Sequence, residues 1–594
     1  MHTDTRNSFA LVFFAIALCV GSLFGTLEVR AQNATHAPTI NRLSHLNTLA
    51  TRLGPGMERR LSAGGANMFH LGKVLSDSSV MRPADMSAAR EVLHRALARS
   101  AARAQAAPFT APGNGPPLIP VSDSSLDYLF SRISGFTQSE TSTAWCGNNV
   151  VVGFNDSGAD VRTFVEQVGG ASFSGVAVSH NGGRSFAGLP FLNPGSDPGT
   201  FLGGDPVVAC SDPSNFLYAS LLSHATFDDQ GNVLAVQTGI AVNRSRSGGL
   251  LWDPPVTAVV KDGSFNFLDK EWMAIDGHNP NNIYITYTNF ADRSTDPACP
   301  PLPPTGRGVG PVIRIEIVSS KDGGASWSSP RVLGRVCNTG NFDNLSGSQV
   351  VVGPSGEVYV AYSRESPGRS KLLIRRSTNG GRTFTKPVVV GKAAMASAVG
   401  SFLQGGFRFT GFPSLAVDNF PGPNRGTLYM VWTDASRNSV PDFFTFQSKP
   451  YAFGDIVLSK SRDGGTTWST PTVVSPVPSN FTGAGRDQFM AGVAVDVGGN
   501  LAVCYSDRRE DPNNFLIDHF CSVSHDQGAT FQDIRETRSS WAPDHRTDFL
   551  ISPRYMGDYD TVSSDTTGSK PGFFSSFQVQ NNGNPDVFGF RLVF

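Results

Sequence analysis

Short apolar runs alternate with polar turns along the chain, from about residue 123 to its end. Runs such as VIRIEIVSS and DIVLSKS are rich in β-branched residues, and stretches such as VAVDVGGNLAVCYSD join two runs through a polar turn. Runs of this length, bounded by Gly, Pro, Asn and Asp, predict strands and hairpins. Because the order strand, turn, strand, loop, strand, turn, strand returns unit after unit, the pattern predicts an all-β protein of small antiparallel sheets.

An eight-residue frame, Ser-x-Asp-Gly-Gly-x-x-Trp with small substitutions, lies after the third run of six units. We term it the glycine frame. Its copies recur at intervals of roughly 55 to 85 residues, a period typical of repeat arrays and propellers. The six copies are Ser179–Phe186, Ser245–Trp252, Ser320–Trp327, Ser377–Phe384, Ser461–Trp468 and Ser524–Phe531.

The residue types of the glycine frame suit a tight turn. The third position always carries a short side chain with an oxygen, which can accept hydrogen bonds from backbone N–H groups nearby in the chain. The glycines allow positive φ, and the closing aromatic residue can anchor the turn in a core. We therefore expect the frame to fasten each sheet and to take no part in chemistry.

The glycine frame resembles the Asp-box, or BNR repeat, of sialidases and related β-propellers, over about Asp123–Phe594. In that family the repeat joins the third and fourth strands of each blade, on the face away from the active site. The resemblance implies four-stranded antiparallel blades around one axis. Seven runs qualify as first strands, which favours seven blades; since sialidases proper have six, six blades with an accessory sheet is the alternative. The first strands start near Ser142, Asp205, Glu271, Gln349, Pro413, Gln488 and Asp558.

The last unit differs from the others. It has no glycine frame and ends at DVFGFRLVF, which the pattern predicts to be its third strand. A propeller that lacks a strand in its last blade can complete it with a strand from the other end of the chain. We expect this closing strand around Leu126–Ile133.

The residues before the repeats divide into two segments. Residues 1–31 contain the apolar run FALVFFAIALCVGSLFGTL followed by a small-residue site, which predicts a signal peptide cleaved after Ala31; a retained membrane anchor is the alternative. Residues 32–120 are predicted to form a helical or partly disordered leader with a Pro/Gly linker, and residues 121–594 the propeller. No later run is long and apolar enough to span a bilayer. We expect a secreted, periplasmic or cell-surface protein.

Charge and cysteines narrow the possibilities further. The formal net charge is −1 and the repeats contain no long basic run, so nothing indicates nucleic-acid binding. Seven cysteines are present, and six remain once Cys19 leaves with the signal segment, an even number that suits disulfides. The alternative is free, buried thiols. No CxxC spacing occurs, and we expect no metal. The predicted pairs are Cys146–Cys210, Cys299–Cys337 and Cys504–Cys521.

Polar side chains stand at the starts of the predicted first strands, where propellers place ligands over the axis. In the sialidases that the chain resembles, a Tyr attacks the anomeric carbon, a Glu activates it and an Asp serves as acid/base. The residues that match these roles are Tyr555, Glu271 and Asp205. Hydrogen bonding to water and between blades is the structural alternative for these polar groups.

The same resemblance implies arginines that hold the carboxylate of the sugar, because guanidinium matches its geometry. Arg554 and Arg486, with Asp487 beside the latter, are the candidates for substrate binding. The chain departs from the family at the Arg-Ile-Pro motif, whose nearest match is Arg132-Ile133-Ser134. The resemblance therefore supports the fold more strongly than it supports cleavage of sialic acid.

Two classes of function follow from these observations. The first is an exported, sialidase-like glycoside hydrolase that acts on glycan ends without a cofactor. The second is a non-catalytic propeller that binds a glycan or an extracellular protein. In both cases we expect a monomer; its partner is a glycan or glycoconjugate or, in the second class, an extracellular protein.

Overall fold

The computed structural model describes most of the repeats and part of the leader. The described residues are 43, 45–53, 61–74, 91, 93–95, 98, 118–127, 136–299, 310–338, 343–366, 369–393, 401–409, 411–434, 454–474, 486–543, 548, 550–551, 555–581 and 584–594. The predicted signal segment and most of the predicted leader lie outside them. Within the described part, no helix combines the length and apolar character needed to cross a bilayer.

Strands dominate the described residues, and β1 to β32 follow one another in chain order. Twenty-eight of them form seven antiparallel blades of four strands. Blades 1 to 3 comprise β2 (Gln138–Cys146), β3 (Asn149–Asp156), β5 (Ser174–Ser179) and β6 (Ala187–Gly188); β8 (Val207–Cys210), β9 (Phe216–Phe227), β10 (Val233–Ser245) and β11 (Val256–Asp262); and β12 (Asn266–Ile275), β13 (Ile283–Ala291), β14 (Val312–Ser320) and β15 (Arg331–Cys337). Blades 4 to 6 comprise β16 (Asn344–Val352), β17 (Val358–Ser366), β18 (Arg369–Ser377) and β19 (Val388–Ala393); β22 (Ser414–Val417), β23 (Leu428–Asp434), β24 (Asp455–Ser461) and β25 (Thr472–Val473); and β26 (Gln488–Val495), β27 (Leu501–Asp507), β28 (Asp518–Ser524) and β29 (Gln532–Arg535).

Blade 7 and four additional strands complete the set. Two of the additional strands extend the sheet of blade 2, and the other two form a small hairpin between blades 4 and 5. Blade 7 comprises β30 (Thr561–Ser564), β31 (Phe573–Asn581), β32 (Asn584–Leu592) and β1 (Ile119–Pro120), and the additional strands are β4 (Ala171–Ser172), β7 (Thr200–Leu202), β20 (Ser401–Phe402) and β21 (Arg408–Phe409).

The seven blades form a closed ring. The innermost strand of each blade packs beside the innermost strand of the next, and β30 of blade 7 packs beside β2 of blade 1. Apolar layers lie between neighbouring blades; Val431 and Leu458 of blade 5, for example, share a core with Val493 and Val503 of blade 6. The predicted all-β propeller with seven blades is confirmed, and the alternative of six blades is wrong.

The ring closes through the N-terminal side, as predicted, but through an earlier segment. The strand order of blade 7 is β30, β31, β32, β1, with Ile119 paired to Gly589 at the outer edge. Pro120 suits this position because an edge strand tolerates a missing N–H. The expectation of a closing strand at Leu126–Ile133 is wrong, because Leu126 ends a short 3₁₀ helix, Ser124–Leu126, and the edge is already filled. The rest of that segment lies outside the described residues.

Each glycine frame forms the turn between the third and fourth strands of its blade. In blade 5 the Gly465 N–H donates to the Ser461 hydroxyl over 2.9 Å, and that hydroxyl donates to Asp463 over 2.8 Å. The Asp463 carboxylate also accepts from the backbone N–H of Thr467 over 2.9 Å. Gly464 and Gly465 have φ of 69° and 81°, where a side chain would strain the backbone. The predicted role of the frame in these turns is confirmed.

The three frames with an aspartate predict an acid-dependent part of the stability. A hydrogen bond from the hydroxyl of the seventh frame residue lowers the pKa of Asp463 to about 2 and also lowers the pKa of Asp322 and of Asp526. Such a carboxyl stabilises the fold above its unfolded pKa, and this contribution is lost as the pH falls through the folded pKa. We expect the triple variant Asp322→Asn, Asp463→Asn, Asp526→Asn to have a lower Tm than the wild type at about pH 6, with the gap narrowing toward about pH 2.

Thermal unfolding across this pH range measures the gap. Asp229→Asn is the control, because Asp229 is exposed in a turn outside the frames. A gap that keeps the same size over the whole range would contradict the assignment to these carboxylates.

Three disulfides connect the cysteines in the predicted pairs, which confirms the pairing. Cys146 ends β2 and Cys210 ends β8, so this bond joins the innermost strands of blades 1 and 2. Cys504 and Cys521 face each other across β27 and β28. The bonds are Cys146–Cys210, Cys299–Cys337 and Cys504–Cys521.

Helices in the leader pack on the propeller. The described helices are α1 (His45–Leu53), α2 (Ala63–Val74) and α3 (Ser157–Glu166), of which α1 and α2 belong to the leader. Leucines of α1 and of the following turn, among them Leu49, share a core with blades 2 and 3. The Phe69 ring of α2 lies 5.1 Å from that of Phe267 in β12. The helical part of the leader is therefore attached to the ring.

Candidate functional site

A cavity lies on the axis of the ring. Its volume is about 110 Å³, and the innermost strands of all seven blades line it. Polar side chains in its wall include Lys270, Gln349, Asp558 and Asp560. The axis is therefore polar, although the layers between blades are apolar, and propellers commonly bind ligands at such a place.

The innermost strands bend as they reach the axis. The pairing of β2 with β3 and of β12 with β13 shifts register there, as in a β-bulge, which bends a strand and re-aims its side chains. Among the described residues, six of the seven strands have a residue with φ between 51° and 78° near their start: Glu140, Asp205, Lys270, Gly347, Met490 and Gly557. Left-handed backbone at non-glycine residues costs energy and concentrates at functional sites. The charged residues among them, Glu140, Asp205 and Lys270, lie at the starts of blades 1 to 3.

Three carboxyl groups, those of Glu140, Asp205 and Glu271, lie at these starts and are completely buried. We refer to them as the carboxyl cluster. Burial raises the pKa of Glu140, and the charges of Asp205 and Asp558 raise it further. Burial also raises the pKa of Asp205, while the charge of Lys270 opposes the rise. Burial raises the pKa of Glu271 well above its ordinary value, and the charge of Asp205 adds to this. Neighbouring carboxyls that resist ionisation can keep a proton for acid catalysis.

The carboxyl cluster has unused hydrogen-bonding capacity. The Ser62 hydroxyl and the Glu140 carboxyl lie close enough to hydrogen-bond to Asp205. Among the described residues, neither the carboxyl oxygens of Glu271 nor the ammonium of Lys270 have a hydrogen-bond partner in another residue. Buried polar atoms in folded proteins almost always have a partner, so exceptions that lie together often mark a functional site. Atoms left open beside one another are available to the hydroxyl groups of a ligand.

Tyr555 joins the carboxyl cluster through Asn155. The side-chain amide of Asn155 donates to the Tyr555 hydroxyl over 2.5 Å and to Glu140 over 2.6 Å. The Ser139 hydroxyl donates to Tyr555 over 3.0 Å, and the amide oxygen of Asn155 accepts from the backbone N–H of Asp205 over 2.8 Å. Burial raises the pKa of Tyr555, and the charge of Glu140 raises it further. The phenol is therefore neutral and held in one orientation.

Lys270 is the cation of this site. Its ammonium nitrogen lies 3.5 Å from the ring centroid of Tyr559, 5.0 Å from that of Trp272 and 5.9 Å from that of Phe412. Aromatic faces attract an ammonium and offset part of its loss of water. The charge of Lys270 opposes the rise in pKa of all three members of the carboxyl cluster. It therefore limits how far burial neutralises them.

Ser62 and the first turn of α2 pack on β12 beside the carboxyl cluster. The backbone N–H of Ser62 donates to Asp269 over 2.5 Å and its hydroxyl donates to the same carboxylate over 2.6 Å. Asp269 directly precedes Lys270 and Glu271 in β12, and Ser62 and Asp269 are both completely buried. The site is therefore closed in this structure.

The structure brings together three of the six predicted site residues. Tyr555, Asp205 and Glu271 lie in or beside the carboxyl cluster. Sequence reasoning assigned Glu271 to activate Tyr555, whereas the carboxyl bridged to Tyr555 by Asn155 is that of Glu140. Arg554 lies outside the described residues.

Arg486 and Asp487 lie in another network, at the start of blade 6. Asp487 accepts from the side-chain amide of Asn514 over 2.7 Å and lies 3.6 Å from the guanidinium of Arg508. The charge of Arg486 acts on Asp511 of the same blade. A substrate-binding role for Arg486 and Asp487 stays a prediction.

Sequence reasoning did not single out Glu140. Its signal is the polar run 137–143, TQSETST, which forms the first part of β2 and is buried throughout. A second signal is position, since Glu140, Asp205 and Lys270 hold equivalent left-handed positions in blades 1 to 3. That equivalence becomes visible only when the three strand starts are superposed.

The candidate metal-ligand group among the described residues is unsuited to binding an ion. A compact group of candidate ligand atoms consists of Cys504, Cys521 and Glu536. The two sulfurs are joined in a disulfide, so they cannot act as thiolate ligands.

Removing the charge of Glu271 is expected to stabilise the protein at alkaline pH. A group whose folded pKa is raised contributes most to stability below its unfolded pKa, and the contribution is lost as the pH rises through the folded pKa. Glutamine is neutral at every pH, so Glu271→Gln should raise the free energy of unfolding at about pH 8 by about 0.5 to 2 kcal/mol, the usual gain at a strained functional site. At about pH 4 the two proteins should be equally stable.

Urea unfolding at both pH values measures the difference. Glu510→Gln is the control, because the Glu510 side chain is 43% exposed. A destabilised Glu271→Gln protein at the higher pH would show that the ionised carboxylate has a stabilising partner.

The comparisons with known proteins concern the fold. No protein-family model and no curated protein matches the chain. Among solved structures, a Hadza microbial sialidase is similar at 14% identity and a TM-score of 0.40, over 70% of this chain and 72% of that chain. The sialidase of Trypanosoma rangeli is similar at 13% identity and a TM-score of 0.36, over 65% of this chain and 54% of that chain. A polysaccharide lyase of family PL25, an ulvan lyase, is similar at 9% identity and a TM-score of 0.42, over 78% of this chain and 96% of that chain.

The resemblance expected from the sequence is confirmed at the level of the fold, by the ring of four-stranded blades and the place of the glycine frames within them. At these identities the likeness to solved structures does not reach individual side chains.

Proposed function

We propose that this protein is an exported, sialidase-like glycoside hydrolase that acts on glycan ends at the carboxyl cluster. The observation that carries the proposal is the convergence of Tyr555, the bridging Asn155 and the buried carboxyl of Asp205 at the starts of the innermost strands. Hydrolysis of a glycoside by retention needs a nucleophile on one face of the sugar and an acid that protonates the leaving oxygen. The site offers one group for each task.

Tyr555 is the proposed nucleophile. Its phenol oxygen forms a bond to the anomeric carbon while the glycosidic bond breaks, and the phenol proton passes to Glu140. Glu140 has to be ionised for this step, and the charge of Lys270, which opposes the rise in the pKa of Glu140, favours that form. Asp205 gives its proton to the leaving oxygen, since burial raises its pKa and keeps it protonated. Water then attacks the anomeric carbon, Asp205 accepts the proton of that water, and the phenol recovers its own proton from Glu140. Glu271, fully buried and without a hydrogen bond of ordinary geometry among the described residues, is proposed to bind a sugar hydroxyl.

Sialosides are the first substrates to test, but the charges of the site favour no anionic sugar strongly. Lys270 is the cation beside the carboxyl cluster and could hold one carboxylate. The arginine clamp implied by the resemblance depends on Arg554 and Arg486, whose roles are predictions. Neutral glycosides therefore belong in the same test.

The three disulfides support the exported part of the proposal, because such bonds persist in oxidising compartments. A non-catalytic propeller that binds a glycan or an extracellular protein is the second candidate. The observation in its favour is the complete burial of the carboxyl cluster, which keeps substrate out of the closed structure.

Release of fluorophore from aryl sialosides and neutral aryl glycosides tests the proposal. Tyr555→Phe should lose activity by about 10²-fold or more, because no nucleophile of similar reach replaces the phenol oxygen. Tyr284→Phe is the matched control, since Tyr284 has the same 3% exposure but lies against the glycine frame of blade 4. Equal rates in Tyr555→Phe and the wild type would overturn the mechanism.

A glycan array separates the two candidates. Retained binding with no turnover of any bound glycan, even after displacement of the leader helix α2 from the ring, would favour the binding protein.

A further inference from the structure

We propose that leader residues 61–69 form an intramolecular plug over the carboxyl cluster, and that their displacement opens the site to a glycan. The plug consists of Leu61, Ser62 and the first part of α2. The inference concerns the proposed active site and rests on the proposed function only for its activity readout. Whether the plug closes the site can be measured without any substrate.

Hydrogen bonds fix the plug at the start of blade 3. Ser62 makes two short hydrogen bonds to Asp269, one from its backbone and one from its hydroxyl. The same hydroxyl accepts from the backbone N–H of Gly65 over 2.8 Å, so it caps the first turn of α2. A single residue therefore caps the start of the helix and docks the helix on the propeller.

Close packing leaves no free space under this turn. A Cβ placed on Gly65 would overlap a carboxylate oxygen of Asp269. A Cβ placed on Gly203 of blade 2 would overlap the sulfur of Met68. Phe69 is completely buried and packs edge-on against Phe267. Contacts this close, on the leader and on the propeller, indicate a built interface.

The electrostatics of the plug also match the site. The N-terminus of a helix carries a partial positive charge and free N–H groups, which favour nearby carboxylates. The first turn of α2 faces Asp269, and the Ser62 hydroxyl lies close enough to Asp205 to oppose the rise in its pKa caused by burial. The plug thus places N–H and O–H donors beside carboxylates, as the hydroxyl groups of a sugar would. It acts as an internal substitute for ligand.

The plug can separate from the propeller without opening the ring. In the sequence, residues 75–117 lie between the plug and the closing strand β1. A cut within this segment therefore leaves β1 paired in blade 7. The segment contains five arginines: Arg82, Arg90, Arg95, Arg99 and Arg103. The side chain of Arg95 is 62% exposed. A protease specific for arginine therefore has targets between plug and ring.

Carboxyl footprinting of the full chain tests the plug. Carbodiimide and glycine ethyl ester label accessible carboxyl groups, and mass spectrometry reads the labelling of Asp205 and Glu271. Gly65→Val should raise labelling at both residues roughly tenfold, because overpacking of this size shifts a closed-to-open equilibrium by about one decade. Gly277→Val is the matched control, since a Cβ at Gly277 meets nothing within 4 Å at the other end of blade 3.

Unfolding is distinguished from opening by a carboxyl elsewhere. Asp487 is 2% exposed in blade 6, and its labelling should stay at the wild-type level when only the plug moves. If Gly65→Val also exposes Asp487, Ser62→Ala replaces it, because that change removes one hydroxyl and adds no volume. Unchanged labelling of Asp205 and Glu271 in the variant that keeps Asp487 protected would overturn the plug.

Activity measured on the same samples separates the two proposals. A rise in labelling together with a rise in glycoside turnover supports both the plug and the hydrolase. A rise in labelling with no turnover of any tested glycoside supports the plug and overturns the hydrolase. Turnover by the wild type at the rate of Gly65→Val, with labelling unchanged, overturns the plug and leaves the hydrolase in place.

Discussion

Asp205→Asn is expected to lower the turnover of a glycoside with a poor leaving group by about 10²- to 10⁴-fold, the usual contribution of a positioned general acid. Asparagine has the shape of aspartate and tolerates the left-handed backbone of this position, where φ is 54°. The fold should therefore survive the change. The loss should shrink for glycosides whose leaving group needs no proton, because the step that the acid assists is then already fast.

The pH dependence gives a second signature of the same role. Burial raises the pKa of Asp205, so the acid stays protonated to higher pH than an exposed aspartate. Turnover should fall as the pH rises through this pKa, and Asp205→Asn should lack that limb of the profile.

Steady-state kinetics with two or more leaving groups measure both effects. Asp197→Asn is the control, because the Asp197 side chain is 58% exposed and hydrogen-bonds to His224 outside the cluster. If Asp205→Asn keeps its rate on substrates with poor leaving groups, another residue is the general acid, and Glu140 is the next candidate.

Arg508→Met is expected to lower the free energy of unfolding by about 3 to 5 kcal/mol, since removing one partner of a buried ion pair leaves the other uncompensated. Arg508 is completely buried and lies 3.6 Å from Asp487. Its guanidinium donates to the backbone carbonyls of Asn514 over 2.9 Å and of Gln404 over 2.7 Å. Burial lowers the pKa of Arg508 to about 10, which leaves it charged at neutral pH.

Urea unfolding of three variants measures the effect. Arg382→Met is the control, because Arg382 is exposed at a glycine frame. The double variant Arg508→Met, Asp487→Asn should recover part of the lost stability, because it removes the uncompensated carboxylate as well. If the single variant Arg508→Met is as stable as the wild type, the structural role of the Arg508–Asp487 pair is contradicted.

Local features of the fold followed from the sequence because their causes are local. Each glycine frame needs residues that tolerate positive φ and a short side chain with an oxygen. In Ser461–Trp468 the glycines meet the first requirement and Asp463 meets the second. The pairing Cys504–Cys521 followed from a hairpin that places the two residues opposite each other. Blade number followed from counting first strands, because each blade repeats the same local pattern.

Part of the site was also predictable. Tyr555, Asp205 and Glu271 were singled out because polar residues are unusual where innermost strands, which are otherwise apolar, begin. Glu140 was missed as the partner of Tyr555, because which carboxyl lies near the phenol depends on distances that strand periodicity does not encode. Ser139 and Tyr555, 416 residues apart in sequence, meet only because β2 and β30 are neighbours in the closed ring.

The amino-acid sequence by itself determined the strands, the turns, the disulfide pairs and the sevenfold repetition, because each of these depends on residues within one blade or between adjacent ones. Tertiary structure decided which carboxyls meet at the starts of blades 1 to 3, that Ile119–Pro120 completes blade 7, and that Ser62 of the leader docks on Asp269. These contacts join segments that are far apart in the sequence. Their free energy comes from burial and charge that exist only once the ring has closed.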